Sequence, residues 1–106
     1  MKIWMRVVNK MEMISVSHTF EKLIQAKKLF SQHDKEIVQI KLKAGEVIKE
    51  HRSPKHVFIF VAQGEVEFTV NGEEVEVNQE RILYMEPDEL HALKAITDVS
   101  LYVVKC

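Results

Sequence analysis

Residues 44–64 read AGEVIKEHRSPKHVFIFVAQG, and the fold turns on how this stretch is read. Gly45 and Gly64 bracket it. Between them lie a short run ending at His51, a corner at Ser53-Pro54, and the apolar run Val57–Ala62. Proline has no N–H to donate to a ladder, and it pushes the preceding residue toward extended or turn backbone. The corner therefore separates two strands. The run after it is apolar on both parities, as expected of a central strand covered on both faces.

Working outward, the same period of two continues on either side. Upstream, Val38, Ile40 and Leu42 alternate with Gln39, Lys41 and Lys43, which predicts a half-buried strand ended by Ala44-Gly45. Downstream, Val66, Phe68 and Val70 alternate with Glu65, Glu67 and Thr69. Asn71-Gly72 follows, a pair that tolerates positive φ at both positions and so favours a two-residue hairpin. Val75 and Val77 mark the returning strand, Ile82–Met85 another before Pro87, and Val99–Val104 the last. Gln32-His33-Asp34-Lys35 reads as a polar turn.

Ahead of that turn the pattern changes. Ser17–Ala26 is the one helical candidate, with Ser17 or Thr19 as cap, Glu21 in the first turn, and Phe20, Leu23 and Ile24 on one face. Lys27–Phe30 is expected to lead out of it extended. Residues 1–16 are read as one or two short strands. Trp4, Met5, Val7 and Val8 give this arm more apolar surface than a free tail exposes, so it is expected to pack on its own sheet or on a second subunit. At least seven short strands with one short helix predict an all-β antiparallel sandwich or small barrel.

Composition narrows the function. A chain of 106 residues, 46% apolar and 29% charged, is one ordinary globular domain. The net charge is −1, with both signs interspersed, so no field of one sign attracts nucleic acid or an anionic membrane. Cys106, the one cysteine, has no internal partner for a disulfide. The start MKIWMRVV is too short and too charged for a signal peptide, and no run is apolar for long enough to span a bilayer. A cytoplasmic protein is expected.

The spacing Gly45, five residues, His51, then Gly64 resembles the first motif of the cupin family, which reads Gly, five residues, His-x-His, three or four residues, Glu, six residues, Gly. Ser53 stands at the second histidine of that motif and Val57 at its glutamate. The second cupin motif is Gly, five residues, Pro-x-Gly, two residues, His, three residues, Asn, and RILYMEPDELHALKA is similar to it. His91 takes the histidine position, Glu86 the proline, Asp88 the glycine, Glu80 the first glycine and Ala95 the asparagine. Asp tolerates left-handed backbone, so the turn at Asp88 is expected to survive the exchange. The resemblance implies a small antiparallel β-barrel, a double-stranded β-helix or jelly roll, within a single domain 1–106. Its core spans 36–105, and 1–35 carries the N-terminal strands and the short helix.

Metal-binding cupins use the motif histidines and glutamate as ligands. Carried over, those positions are His51, Ser53, Val57 and His91. Two imidazoles fall short of the three or four protein ligands that a divalent metal takes, and Val57 has no donor. His56 is the one candidate replacement. It neighbours Val57, so in a regular strand it faces the other way. The first reading is a homodimeric cupin-like protein with a largely lost metal site and no cofactor. It would bind a small organic molecule through His51, His91 and Tyr84, with no nucleic-acid or membrane partner. The alternative is a metal-dependent oxygenase or isomerase holding Zn, Ni, Fe or Mn on His51, His56 and His91. A third reading is a ligandless dimeric interaction module. No GxSxG elbow or glycine-rich phosphate loop supports nucleophilic or nucleotide chemistry.

Overall fold

The computed structural model describes residues 11–106. Within them the chain forms nine strands: β1 (Ile24–Gln32), β2 (Lys35–Leu42), β3 (Val47–His51), β4 (Val57–Gln63), β5 (Val66–Val70), β6 (Glu73–Val77), β7 (Leu83–Met85), β8 (His91–Ala95) and β9 (Val99–Lys105). Every pairing is antiparallel. One sheet has the order β1-β2-β9-β4-β7 and the other β3-β8-β5-β6. The two pack face to face as a jelly roll.

The turn chemistry is as the sequence implies. Asn71 and Gly72 take φ of 50° and 85° and join β5 to β6, with Val70 opposite Glu73. Asp88 sits at φ 67°, in the place of the motif glycine. Gly64 is also left-handed, and a Cβ there would run into the Asp98 carbonyl. Its lack of a side chain lets the β4–β5 corner pass against the turn before β9.

The expected helix over Ser17–Ala26 is not formed. Residues 11–23 have no regular helix or strand, and from Ile24 the chain is β1, paired along its length with β2. The hairpin between them turns at His33 and Asp34, with φ of 53° and 64°. Two turns of helix are marginal alone, whereas β1 gains a full ladder, so tertiary pairing overrides local propensity. A bulge between Lys28 and Phe30 shifts the register and breaks the strand alternation that would have revealed it. The strands expected over residues 1–16 are not seen over 11–16, and 1–10 lie outside the described residues.

The core follows the alternation. Leu42, Ile59, Val66, Phe68, Val99 and Leu101 point between the sheets and are almost fully buried. β4 is central, between β9 and β7, but its outward side is only partly covered, with Phe60 38% exposed. On the same outer face Gln39 and Ser100 are buried. The segment before β1 crosses there. Gln39 Nε2 donates to the Ser17 carbonyl at 2.9 Å and to Ser100 Oγ at 3.0 Å, and His18 Nδ1 lies 2.8 Å from Ser100 Oγ.

Candidate functional site

β3 and β8 are hydrogen-bonded neighbours, and His51 and His91 are direct partners across them. Ile48, opposite Leu93, packs on the core, so a regular strand would point Glu50 inward and His51 away. The register shifts between Ile48 and His51. That irregularity reverses the parity, so that Glu50 points away and His51, itself still exposed to solvent, comes alongside the buried His91. The ring centroids are 4.2 Å apart, edge to face at 62°.

Backbone carbonyls orient both rings. His51 Nδ1 is 2.9 Å from the Lys49 carbonyl oxygen, and His91 Nδ1 is 2.9 Å from that of Glu89. A carbonyl only accepts, so each Nδ1 carries a proton, and in the neutral ring Nε2 keeps its lone pair. No fully buried side-chain nitrogen or oxygen lacks a partner among the described residues. The Nε2 of His91, which makes no protein bond, must therefore open to free space. Burial, then the nearby His51 and Lys105 charges, push the His91 imidazole below its ordinary pKa, against the Glu89 carbonyl bond that favours the protonated form.

Both histidines line a cavity of about 70 Å³ between the sheets. Val38, Ile40, Val57, Ile59, Phe68, Leu93 and Val103 are its apolar lining residues, and His51, His91, Ser53 and Lys105 its polar ones. Ser53 is tied into the corner: its carbonyl accepts from Asp88 N at 2.7 Å and its Oγ accepts from Lys55 N at 3.2 Å. The hydroxyl hydrogen remains available to donate. Lys105 Nζ is 4.0 Å from Glu36 Oε1, and the other Glu36 oxygen is held by Lys28 at 2.9 Å.

His56 and Tyr84 are placed elsewhere. His56 immediately precedes β4, and its neighbour Val57 faces the cavity. Its Nδ1 is 2.7 Å from Tyr84 Oη, the rings stacked at 14°. Tyr84 leans on Phe58 and is 45% exposed, outside the cavity wall. Sequence reasoning missed Lys105 altogether. The signal was available, since Lys105 shares the parity of Val99, Leu101 and Val103 and so continues the inward row to the cavity.

A family model for the cupin domain matches residues 38–105, more than half of the chain. The chain belongs to the cupin family. Solved structures agree on the fold. An RmlC-like cupin with a double-stranded β-helix from Methanocaldococcus jannaschii aligns with a TM-score of 0.80 at 20% identity, covering 93% of each chain. A conserved Streptococcus pyogenes protein of unknown function gives 0.73 at 23% identity, over 92% of this chain and 96% of the other. An RmlC-like cupin from Desulfovibrio desulfuricans gives 0.75 at 19% identity, over 93% and 96%. Comparison with curated protein sequences finds no match.

The residues of this cupin do not fit the metal centre its family motifs describe. His51 and His91 offer two imidazole nitrogens, Ser53 a neutral hydroxyl, and Val57 nothing. Among the described residues no group of three or more His, Cys, Asp or Glu is placed to hold an ion. The cavity is apolar, and its polar lining residues are two oriented imidazoles, Ser53 and Lys105.

Proposed function

We propose that this cupin is a small-molecule-binding protein whose metal site is largely lost, with His51 and His91 anchoring a ligand in the barrel cavity. The observation that carries this reading is the side-by-side placement of the two imidazoles, each fixed through Nδ1 at an apolar cavity. Pockets of this kind, largely apolar with a few convergent polar groups, are the usual form of ligand sites. The rival reading, a metal-dependent oxygenase or isomerase, needs His56 to leave Tyr84 and turn inward. The test is thermal unfolding of chelator-treated protein with and without micromolar zinc or nickel, because a ligand that prefers the folded state raises the melting temperature. No shift is expected, with wild type and His51→Ala alike. A rise of several degrees that vanishes in His51→Ala, His91→Ala and His56→Ala overturns the reading in favour of the metalloenzyme.

The same proposal makes the protein a homodimer. The outer face of the larger sheet carries an apolar groove of about 360 Å³ lined by Leu29, Ile37, Phe60, Tyr102 and Val104, with Ile14 and Val16 beside them. No charged side chain lines it, and ten further residues with Ile3, Trp4, Met5, Val7 and Val8 precede Met11. An apolar face of this kind on a small domain calls for cover, and a second copy presenting the same face supplies it by two-fold symmetry. Light scattering is expected to give twice the chain mass for wild type, and monomer or aggregate for Phe60→Lys and for a chain lacking residues 1–10. Unchanged mass in both variants removes this face and the arm as the interface.

A further inference from the structure

We infer that the cavity takes a small 2-hydroxycarboxylate, its hydroxyl donating to His91 of the histidine pair and its carboxylate accepting from Lys105 and Ser53. The inference rests on the reading of the cavity as a ligand site and goes on to name the ligand's chemistry. The argument is one of matching donors and acceptors. His51 and His91 each commit Nδ1–H to a backbone carbonyl, so an uncharged ring here presents Nε2 as an acceptor and asks for a donor such as a hydroxyl. Ser53 and Lys105 ask for the opposite. The Ser53 oxygen already accepts from Lys55 N, which leaves its hydrogen to give. The Lys105 ammonium has three donors, and its contact to Glu36 is long at 4.0 Å.

No carboxylate side chain lines the cavity, so nothing there offsets the charge of an amine ligand. An anion, by contrast, meets Lys105, whose positive charge is near enough to His91 to count against that ring's protonation. Size sets the second limit. The cavity of about 70 Å³ is roughly half the ~150 Å³ of an engineered apolar cavity that admits benzene. An aromatic ring does not fit wholly within it. A hydroxyl and a carboxylate on adjacent carbons place a donor and an acceptor within the few atoms that fit, and a methyl or short alkyl group meets the apolar wall of Ile59, Leu93 and Val103. A neutral analogue leaves Lys105 unused, and an acid without the hydroxyl leaves the lone pair of buried His91 without a donor, which binding sites penalise heavily.

The experiment is methyl NMR on protein labelled at Ile, Leu and Val, titrated separately with lactate, propionate and 1,2-propanediol to tens of millimolar. Lactate is expected to shift the methyls of Ile59, Leu93 and Val103, and to bind at least tenfold more tightly than either analogue. Lys105→Met, with its fold checked by its amide spectrum, is expected to weaken lactate at least fivefold while leaving propanediol unchanged. Propionate matching lactate removes the hydroxyl from the proposal, propanediol matching lactate removes the carboxylate, and an unaltered Lys105→Met removes the lysine; each overturns it. A parallel set of amines and uncharged fragments of the same size separates the two levels of the argument. Shifts from those with lactate silent overturn the ligand class and leave a binding cavity. Silence throughout overturns both.

Discussion

Phe68 is the side chain whose removal reports most directly on the packing described here. It lies mid-β5 at 1% exposure, opposite Val75 on one side and Leu93 on the other, and its ring forms part of the cavity wall. Phe68→Ala withdraws a fully buried aromatic, worth about 1.5–3 kcal/mol in transfer alone. It also leaves a void that the β-ladders on either side of β5 keep from collapsing. Together these put the cost at about 3–5 kcal/mol. A domain of this size is stable by about 5–15 kcal/mol, so the change removes a large fraction of the total. The existing cavity decides where in the range the cost falls. If water enters the enlarged space through the His51–His91 end, the loss sits near the lower limit. The assay is urea unfolding followed by far-UV circular dichroism, with Glu67→Ala as the control on the same strand. Glu67 faces away from the core, and its replacement is expected to stay within about 0.5 kcal/mol. A Phe68→Ala loss below about 1 kcal/mol at unchanged m, or a Glu67→Ala loss equal to it, refutes the inward assignment of β5.

Two further expectations follow from single residues. Gly64→Ala places a Cβ against the Asp98 carbonyl and within 2.8 Å of Thr97 Oγ1, at a φ of +84°. A cost above about 2 kcal/mol in the same melts is expected from the clash and left-handed strain combined, and a neutral outcome means the corner relaxes freely. His91 carries a pH dependence. Its pKa in the fold lies below the ordinary value, with burial as the first cause, so the unfolded chain takes up the proton more readily. Stability is full above about pH 6.5 and falls as the pH drops from there toward the folded-state value. The carboxylate of Glu36, lowered by its bond to Lys28, loses its contribution only in the more acidic carboxylate range, below its ordinary value of 4.5. Urea midpoints between pH 8 and 5 are expected to slope downward toward acid in wild type and to flatten in His91→Leu; equal slopes in the two refute the assignment to His91.

The fold was legible because most of its information is periodic and local. From Glu36 onward the strands β2, β5 and β6 state their parity in their own residues. Asn71-Gly72 fixes one hairpin outright, and Asp88 reads as a left-handed turn residue because it stands at the glycine of the cupin motif and Asp tolerates that backbone. β1 was not legible, for two physical reasons. Its bulge between Lys28 and Phe30 destroys the alternation, and its exposed edge lets lysines and glutamine fill positions that a helix face would also accept. The burial of Gln39 was equally hidden. Alternation marked it as outward, which it is, but its cover comes from Ser17 and His18, some twenty residues away along a segment with no period. Ser100, on the same outer face, is covered by the same segment through His18. Outward and exposed are different properties, and a strand's own residues encode only the first.

The site shows the same division more sharply. That His51 and His91 belong together came from spacing that resembles the cupin motifs, not from strand periodicity. Periodicity read on its own assigns the inward position to Glu50, two residues past inward-facing Ile48. The register shift before His51 is what exchanges a carboxylate for an imidazole at the cavity. It also sets the sign of the site. With Glu50 inward, an anionic group would sit beside His91 and Lys105. It would raise the imidazole's proton affinity and neutralise the ammonium, and the cavity would suit cations. With His51 inward, every polar group in the wall is neutral or positive. On the proposed ligand-binding reading, a single irregularity in β3 thus sets which class of ligand the barrel would favour. Removing one residue from 49–50 is expected to keep the sheet and move His51 out of step with His91, which makes that deletion a more informative probe of the site than any substitution at the histidines themselves.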